Sequence, residues 1–232
     1  MLAFDGVDVS YGNTPILRDI EFAIEEGETV GIMGRNGVGK TTLMKTIIGL
    51  LTPDAGTIRY DGEDVTALSA DRRARLGIGY IPQGRDVFPD LTVEQNIQMG
   101  LSISDHKSEN LVDDVYEYFP RLDERRSQKA GTMSGGEQQM LAIGRALAGN
   151  PDLLLLDEPS EGIQPSIVQD ITDDIASINE EFGVTVLFVE QNLQVIRRLS
   201  ERCYVVDGGR IEAELDATDL EDAEAVADYL AV

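Results

Sequence analysis

The nine residues GRNGVGKTT, at positions 34–42, combine three glycines with one lysine and two threonines. They fit the pattern G-x-x-x-x-G-K-[ST], in which glycines let successive backbone N–H groups point at phosphate oxygens. In such a loop Lys40 would reach the β- and γ-phosphates, and the Thr41 hydroxyl would ligate Mg²⁺. The glycine order differs from the G-x-G-x-x-G of dinucleotide-binding loops. The segment therefore predicts a site for a nucleoside triphosphate.

A second group of reactive side chains ends the apolar run LLLLDEP, residues 153–159. Four leucines followed by Asp157 and Glu158 indicate a buried parallel strand with two carboxylates at its C-terminal end. A solvated turn would also explain two acids, but the apolar run and Pro159 fix their placement. Asp157 would hold the Mg²⁺ shell and Glu158 would polarise the attacking water. The two segments together predict a nucleotide triphosphatase.

A third segment, MSGGEQQ at positions 133–139, places two glycines at the start of a predicted helix. Ser134 and Glu137 have the spacing of a capping box, which fits an ordinary helix start. Gly135 and Gly136, however, are poor helix formers, and they favour close approach of the backbone to another group. A helix N-terminus suits an anion. Because the first loop already holds its own nucleotide, we predict that this turn faces the nucleotide of a second copy.

The sequence predicts a strand before the loop at residues 34–42 and a helix after it, and these two elements would position the loop. ETVGIMG, before it, is a short apolar segment of strand type. The segment after it has helical spacing of its apolar residues, which are Leu43, Met44, Ile47, Ile48 and Leu51. Strand, loop and helix therefore stand in the order that a phosphate-binding loop requires.

These three motifs, in this order, resemble those of the ATP-binding subunit of an ABC transporter. GRNGVGKTT resembles the Walker A motif, LLLLDEP the Walker B motif and SGGEQ the family signature. The resemblance implies ATP and Mg²⁺ as cofactors and the following nucleotide contacts: Tyr11, stacking on adenine, then Gly34, Arg35, Asn36, Gly37, Val38, Gly39, Lys40, Thr41 and Thr42. Contacts to the ATP of the partner chain would come from Ser134, Gly135, Gly136 and Glu137.

Gln83, in GYIPQGRDVF, resembles the Q-loop glutamine, which contacts Mg²⁺ and the attacking water and moves with the transmembrane partner. Two positions depart from the family pattern. Gln191 stands where many members carry histidine, and glutamine can donate a hydrogen bond but cannot carry positive charge. Gln164 replaces the usual acidic residue of the D-loop. A catalytically silent subunit is one reading of these departures, but the intact Glu158 and Lys40 favour an active enzyme.

The implied fold is one α/β domain over residues 1–232, with a P-loop NTPase core of RecA type and a mixed, largely parallel sheet. An antiparallel β region is expected at the N-terminus. Residues 1–84 and 146–232 would form the nucleotide-binding core, and 85–145 a helical signature subdomain that faces the membrane subunits. His106 is expected at the surface. A C-terminal acidic helix is expected to pack on the core through Leu220, Ala225, Val226, Tyr229 and Leu230.

The segments VEQN and PQGRxxF look like those of the branched-chain amino acid uptake group, whereas GRNGVGKTT with EGIQPS looks more like its urea and short-amide branch. Implied partners are a second ABC ATPase chain, as homodimer or paralogous heterodimer, permease subunits and, indirectly, an extracellular solute-binding protein. Alternatives are a lipid or polysaccharide exporter ATPase and a non-transport ABC ATPase. A non-transport ABC ATPase conflicts with the single copy of each motif and the lack of a long heptad insert.

The composition excludes several other functions. With 43 acidic and 19 basic residues the net charge is −24, which repels nucleic-acid phosphates and favours a halophilic host. The sequence contains one cysteine, Cys203, and one histidine, His106. These counts exclude an internal disulfide and metal sites rich in cysteine or histidine. The apolar runs are far shorter than the ~20 residues of a membrane helix. A cytoplasmic chain, peripheral on the inner face of the membrane through permease subunits, is expected.

Overall fold

Two β-sheets carry the fold in the computed structural model, which describes residues 1–103, 111–222 and 226. Within these ranges the strands are β1 Leu2–Tyr11, β2 Thr14–Ile24, β3 Thr29–Met33, β4 Ala55–Tyr60, β5 Glu63–Asp64, β6 Ile78–Ile81, β7 Leu153–Asp157, β8 Thr185–Glu190, β9 Arg202–Asp207 and β10 Arg210–Asp216. The predictions for His106, Ala225, Tyr229 and Leu230 lie outside the described residues.

The larger sheet has the strand order β10-β9-β3-β8-β7-β6 and is parallel except for β10, which runs antiparallel to β9. This is the mixed, largely parallel sheet that the sequence predicts. Every residue of β3, β7 and β8 is buried, as expected for central strands covered on both faces. Register pairs Met33 with Glu190, and Asp157 with Val189. The strand ends that carry the predicted carboxylates therefore meet at one edge.

The smaller sheet is antiparallel, with the order β2-β1-β4-β5, and confirms the predicted N-terminal β region. Its inner face joins the larger sheet in a core that includes the stacked rings of Phe4 and Phe22, whose centroids lie 4.8 Å apart. Strand β2 of the β1–β2 hairpin reaches the turn between β9 and β10, where the Arg18 N–H donates to the Gly209 carbonyl at 2.8 Å. This contact brings the hairpin beside the phosphate loop.

Helices cover the larger sheet. In the described ranges they are α1 Lys40–Ile48, α2 Ala70–Arg75, α3 Val93–Leu101, α4 Leu111–Tyr118, α5 Pro120–Asp123, α6 Gly135–Leu147, α7 Pro165–Phe182, α8 Leu193–Leu199 and α9 Ala217–Glu221. The segment predicted as a helical subdomain contains α3 to α6, although α6 continues past its predicted end at residue 145. Leu220 and Val226 are buried, as expected for a C-terminal segment that packs on the core.

Candidate nucleotide site

The loop between β3 and α1 wraps around the side chain of Lys40, which is only 5% exposed. Its ammonium donates to the carbonyls of Gly34 at 2.8 Å and of Arg35 at 2.9 Å. The loop turns through Gly37 and Gly39, whose φ angles of 83° and 113° favour glycine. A buried cation inside a tight loop at the start of a helix is suited to hold phosphates.

Two of the loop glycines are also required by close packing. A Cβ on Gly34 would lie 2.3 Å from the Val206 carbonyl oxygen, and one on Gly39 would lie 2.7 Å from the Leu17 side chain. Leu17 belongs to the β1–β2 hairpin and Val206 to β9. The loop is therefore positioned by both sheets.

Asp157 ends β7 directly beside the loop and is 2% exposed. Its carboxylate accepts hydrogen bonds from the Thr41 hydroxyl at 3.2 Å and from the Tyr80 hydroxyl at 3.3 Å. Burial raises the pKa of Asp157, and the two hydrogen bonds oppose that shift. Burial likewise raises the pKa of Tyr80, which is a donor here. The adjacent oxygens of Thr41 and Asp157 fit Mg²⁺, which binds oxygen ligands and keeps several waters.

Glu158 is the point at which the predicted catalytic side chains converge. Its carboxylate lies 3.4 Å from the Lys40 ammonium, and its own side chain is 9% exposed. The Gln191 amide donates to it at 2.8 Å, and the Gln83 amide at 3.4 Å. Gln191 also donates to the Asn36 side-chain oxygen at 2.8 Å. Side chains from three other segments of the chain therefore meet at the Glu158 carboxylate.

The backbone of Glu158 takes an unusual conformation, with φ of 50°. Such a conformation in a residue other than glycine costs roughly 1–3 kcal/mol and persists only where the surroundings enforce it. The Glu158 N–H donates to the Val189 carbonyl at 3.0 Å, which ties the residue to the neighbouring strand. This backbone strain is consistent with a Glu158 side chain that is held in one fixed orientation.

The signature segment begins α6 as predicted, with Ser134 as the N-cap and a capping box to Glu137. The Ser134 N–H donates to the Glu137 carboxylate at 2.8 Å. The side-chain hydrogen bonds described for residues 134 and 137 join them to each other, and the described ion pair of Glu137 is with Arg125. These contacts hold the signature turn on its own helix, whereas Lys40 and Thr41 make their described contacts with Gly34, Arg35, Asp157 and Glu158.

The two signature glycines differ in their surroundings. A Cβ on Gly136 would lie 2.5 Å from the Ile167 side chain of α7, whereas the nearest group to one on Gly135 would be the Arg85 guanidinium, at 3.3 Å. Packing against α7 is thus one reason why position 136 carries glycine, and the sequence alone does not reveal this packing. Gly135 lies instead beside the end of a flexible side chain.

Gly136→Ala is therefore expected to lower the free energy of unfolding. Overpacking costs about 1–3 kcal/mol and outweighs the gain of about 1 kcal/mol in helix propensity. Denaturant unfolding would measure the difference. Gly135→Ala is the matched control with a smaller effect, and Ile167→Ala should reduce the cost in the double variant. Equal stability of the Gly135 and Gly136 variants would contradict the packing explanation.

Tyr11 lies at the end of β1, where it pairs with Thr14, and is 48% exposed. The same hairpin places Ile16 and Leu17 against Gly39. An exposed aromatic ring on the hairpin that contacts the loop is available to a nucleotide base, and adenine stacking stays a prediction.

Four residues at this site were not predicted from the sequence. Tyr80 contacts Asp157, and Glu161 accepts from Gln83 at 2.9 Å. Arg85 donates to the Glu161 carbonyl at 2.9 Å and lies against the first turn of α6. Glu190 is 3% exposed and accepts several backbone N–H bonds. Only Glu190 has a sequence signal, because it ends an apolar strand as Asp157 does.

None of the helices in the described ranges has the length and hydropathy of a membrane span.

The ABC transporter family model matches residues 17–161. The chain is 48% identical to the high-affinity branched-chain amino acid transport ATP-binding protein BraG of Pseudomonas aeruginosa, over 91% of each chain. It is 35% identical to the probable branched-chain amino acid transport ATP-binding protein LivF of Archaeoglobus fulgidus, over 95% of this chain and 94% of that one.

A third relative is the lipopolysaccharide export ATP-binding protein LptB of Haemophilus influenzae, 35% identical over 92% of this chain and 89% of that one. Among solved structures, a dimeric ATP-binding cassette in a post-hydrolysis state with ADP and Pi superposes with a TM-score of 0.83. It is 28% identical and covers 94% of this chain and 99% of its own. This chain therefore belongs to the ABC transporter family, as an ATP-binding domain that hydrolyses ATP.

Proposed function

We propose that this chain drives an ABC importer by hydrolysing ATP at sites shared between two ATPase chains. The observation that carries the proposal is the meeting of Lys40, Gln83 and Gln191 at the Glu158 carboxylate. This arrangement combines a phosphate-binding cation, a carboxylate and two amide donors around the place where a γ-phosphate would lie.

Each residue takes a role that its present contacts support. Lys40 would exchange its two carbonyl partners for the β- and γ-phosphates, and Glu158 would accept a hydrogen bond from the attacking water and orient it. Gln191 would donate to the γ-phosphate in place of histidine, and Gln83 would contact the water. Thr41, Gln83 and Asp157 would hold Mg²⁺, which when bound neutralises phosphate charge. Tyr11 would stack on adenine.

The signature turn would complete the site in trans. The described side-chain contacts of Ser134 and Glu137 are with each other and with Arg125, and a helix N-terminus with glycines favours an anion. A second chain, either another copy or a homologous subunit, would supply this turn to the ATP held by the first. The relative of known dimeric structure with ADP and Pi supports this arrangement.

An apolar groove supports docking to permease subunits. A cavity of about 570 Å³ lies between the sheet core and the helical layer. Its exposed apolar residues are Leu50, Phe88, Met99 and Ile103. Phe88 follows the Gln83 loop, so a partner seated in the groove would act on the catalytic glutamine through a short stretch of chain. The chain would thus attach peripherally to the inner face of the membrane, with the solute-binding protein on the far side.

We infer that the transported solute is a branched-chain amino acid, as the names of two relatives suggest. Urea or a short amide is the second candidate, resting on the segment EGIQPS. The exporter reading is weaker, because identity to LptB is 35% and that to BraG is 48%. The net charge of −24 leads us to infer a salt-rich host.

Deletion of the gene is expected to abolish uptake of labelled leucine and leave uptake of labelled urea intact, measured in the host at native salt. Complementation with the wild-type gene should restore leucine uptake, and Glu158→Gln should not. Loss of urea uptake alone would favour the second candidate. Normal uptake of both solutes would contradict the importer proposal.

A further inference from the structure

Glu190 ends β8 as a buried carboxylate that accepts three backbone hydrogen bonds. One oxygen accepts from the Ser160 N–H at 2.9 Å. The other accepts from the Gln191 N–H at 2.9 Å and from the Asn192 N–H at 3.1 Å. With 3% of its surface exposed, the side chain has little access to water. All three donors would be left without this partner if the carboxylate were removed.

These donors belong to two different loops. Ser160 follows Glu158 by two residues in the loop after β7, whereas Gln191 begins the loop after β8. Hydrogen bonds to a charged acceptor are stronger than those between neutral groups. One rigid carboxylate therefore fixes the separation of the two loops. The side chains of Glu158 and Gln191, which those loops carry, are joined at 2.8 Å.

We propose that Glu190 is a positioning residue, which sets the distance between the carboxylate of Glu158 and the amide of Gln191. The inference rests on the proposed roles of those two residues. Glu190 does not face the phosphate loop in any contact that the structure describes, so it acts through its neighbours. Its expected influence is on turnover, since the Lys40 ammonium is held by the carbonyls of Gly34 and Arg35.

Glu190→Gln tests the positioning role with little change in side-chain volume. The amide oxygen can continue to accept from Gln191 and Asn192. The amide nitrogen would then face the Ser160 N–H, donor against donor, so the bond that spans the two loops is the one that breaks. Glu201→Gln is the matched control, because Glu201 also accepts a backbone N–H bond, from Thr29 at 3.2 Å, but lies outside the site.

We expect kcat of Glu190→Gln to fall about 100-fold, as a misplacement of about 1 Å can cause, with KM for ATP unchanged. Glu201→Gln should keep both constants. Wild-type kcat in a folded Glu190→Gln protein, or a raised KM with normal kcat, would overturn the proposal. If the glutamine variant does not fold, Glu190→Asp tests the same spacing by the same two constants, because it keeps the charge but is shorter.

A double variant shows whether Glu190 acts through Glu158. Glu158→Gln with Glu190→Gln should be no slower than Glu158→Gln alone, since residues that act as a unit are not additive. Additive losses would overturn the proposal. If Glu158→Gln itself keeps full turnover, the proposed function fails instead. If Glu158→Gln is inactive while Glu190→Gln turns over normally, only the positioning role fails.

Discussion

Glu158→Gln protein is expected to bind ATP as the wild type does but to lose steady-state hydrolysis by about 10²–10⁴-fold. Glutamine has almost the same shape, so the contacts of Gln83 and Gln191 can be kept in part. It cannot accept a proton or attract water as a carboxylate does, and the ion pair with Lys40 at 3.4 Å is lost. The variant should therefore keep its affinity for ATP while its rate of hydrolysis falls.

Phosphate release under excess ATP measures the turnover, and equilibrium binding of a fluorescent ATP analogue measures the affinity. Size-exclusion chromatography with ATP should show the variant as a dimer, because bound nucleotide is no longer consumed. Glu181→Gln, which changes an exposed glutamate at the end of α7, is the control with normal turnover. Persistent hydrolysis by Glu158→Gln would show that another group orients the water.

Ser134→Asp is expected to lower turnover at least about 100-fold, since removal of one donor to a developing anion costs 10²–10³-fold in other sites. Aspartate is as good an N-cap as serine, so α6 should still form. Its carboxylate would stand beside Glu137 and repel the phosphate of the partner chain's ATP. Nucleotide binding at the chain's own loop should persist, because Lys40 and Thr41 are held by Gly34, Arg35 and Asp157 and not by Ser134.

The same assays compare Ser134→Asp with Thr92→Asp, a matched substitution at the capping box of α3. Thr92→Asp changes an N-cap in the helical layer without touching the proposed site, and it should keep normal turnover. Thermal unfolding checks that both variants are folded. If the two variants lose turnover equally, the effect lies in helix stability and the signature turn has no special role.

The sequence predicts those features whose cause is local. Three glycines around Lys40, a leucine run before Asp157, and the Ser134 capping box each determine their own turn, strand or helix start. Their order along the chain predicts the sheet, because strands followed by helices form parallel sheets with their C-terminal ends at one edge. The resemblance to ABC ATPases adds the roles of Gln83 and Gln191.

Features that depend on contacts between distant segments are not readable from the chain. The packing of Gly136 on Ile167 joins helices about 30 residues apart in sequence. Tyr80 meets Asp157 only because β6 and β7 are neighbours in the sheet. Glu190 looks like the last residue of a strand until the loop at Ser160 is brought against it. Such contacts need the register of the sheet, which no single motif supplies.

The central claim is that each hydrolysis site uses the phosphate loop of one chain and the signature turn of another. Mixing inactive Glu158→Gln with inactive Ser134→Asp protein tests it most directly. In a mixed dimer one site carries both changes and the other carries neither, so an equal mixture should regain about one quarter of wild-type ATPase activity. A mixture no more active than either variant alone, despite mixed dimers, would place the whole site within one chain and contradict the account.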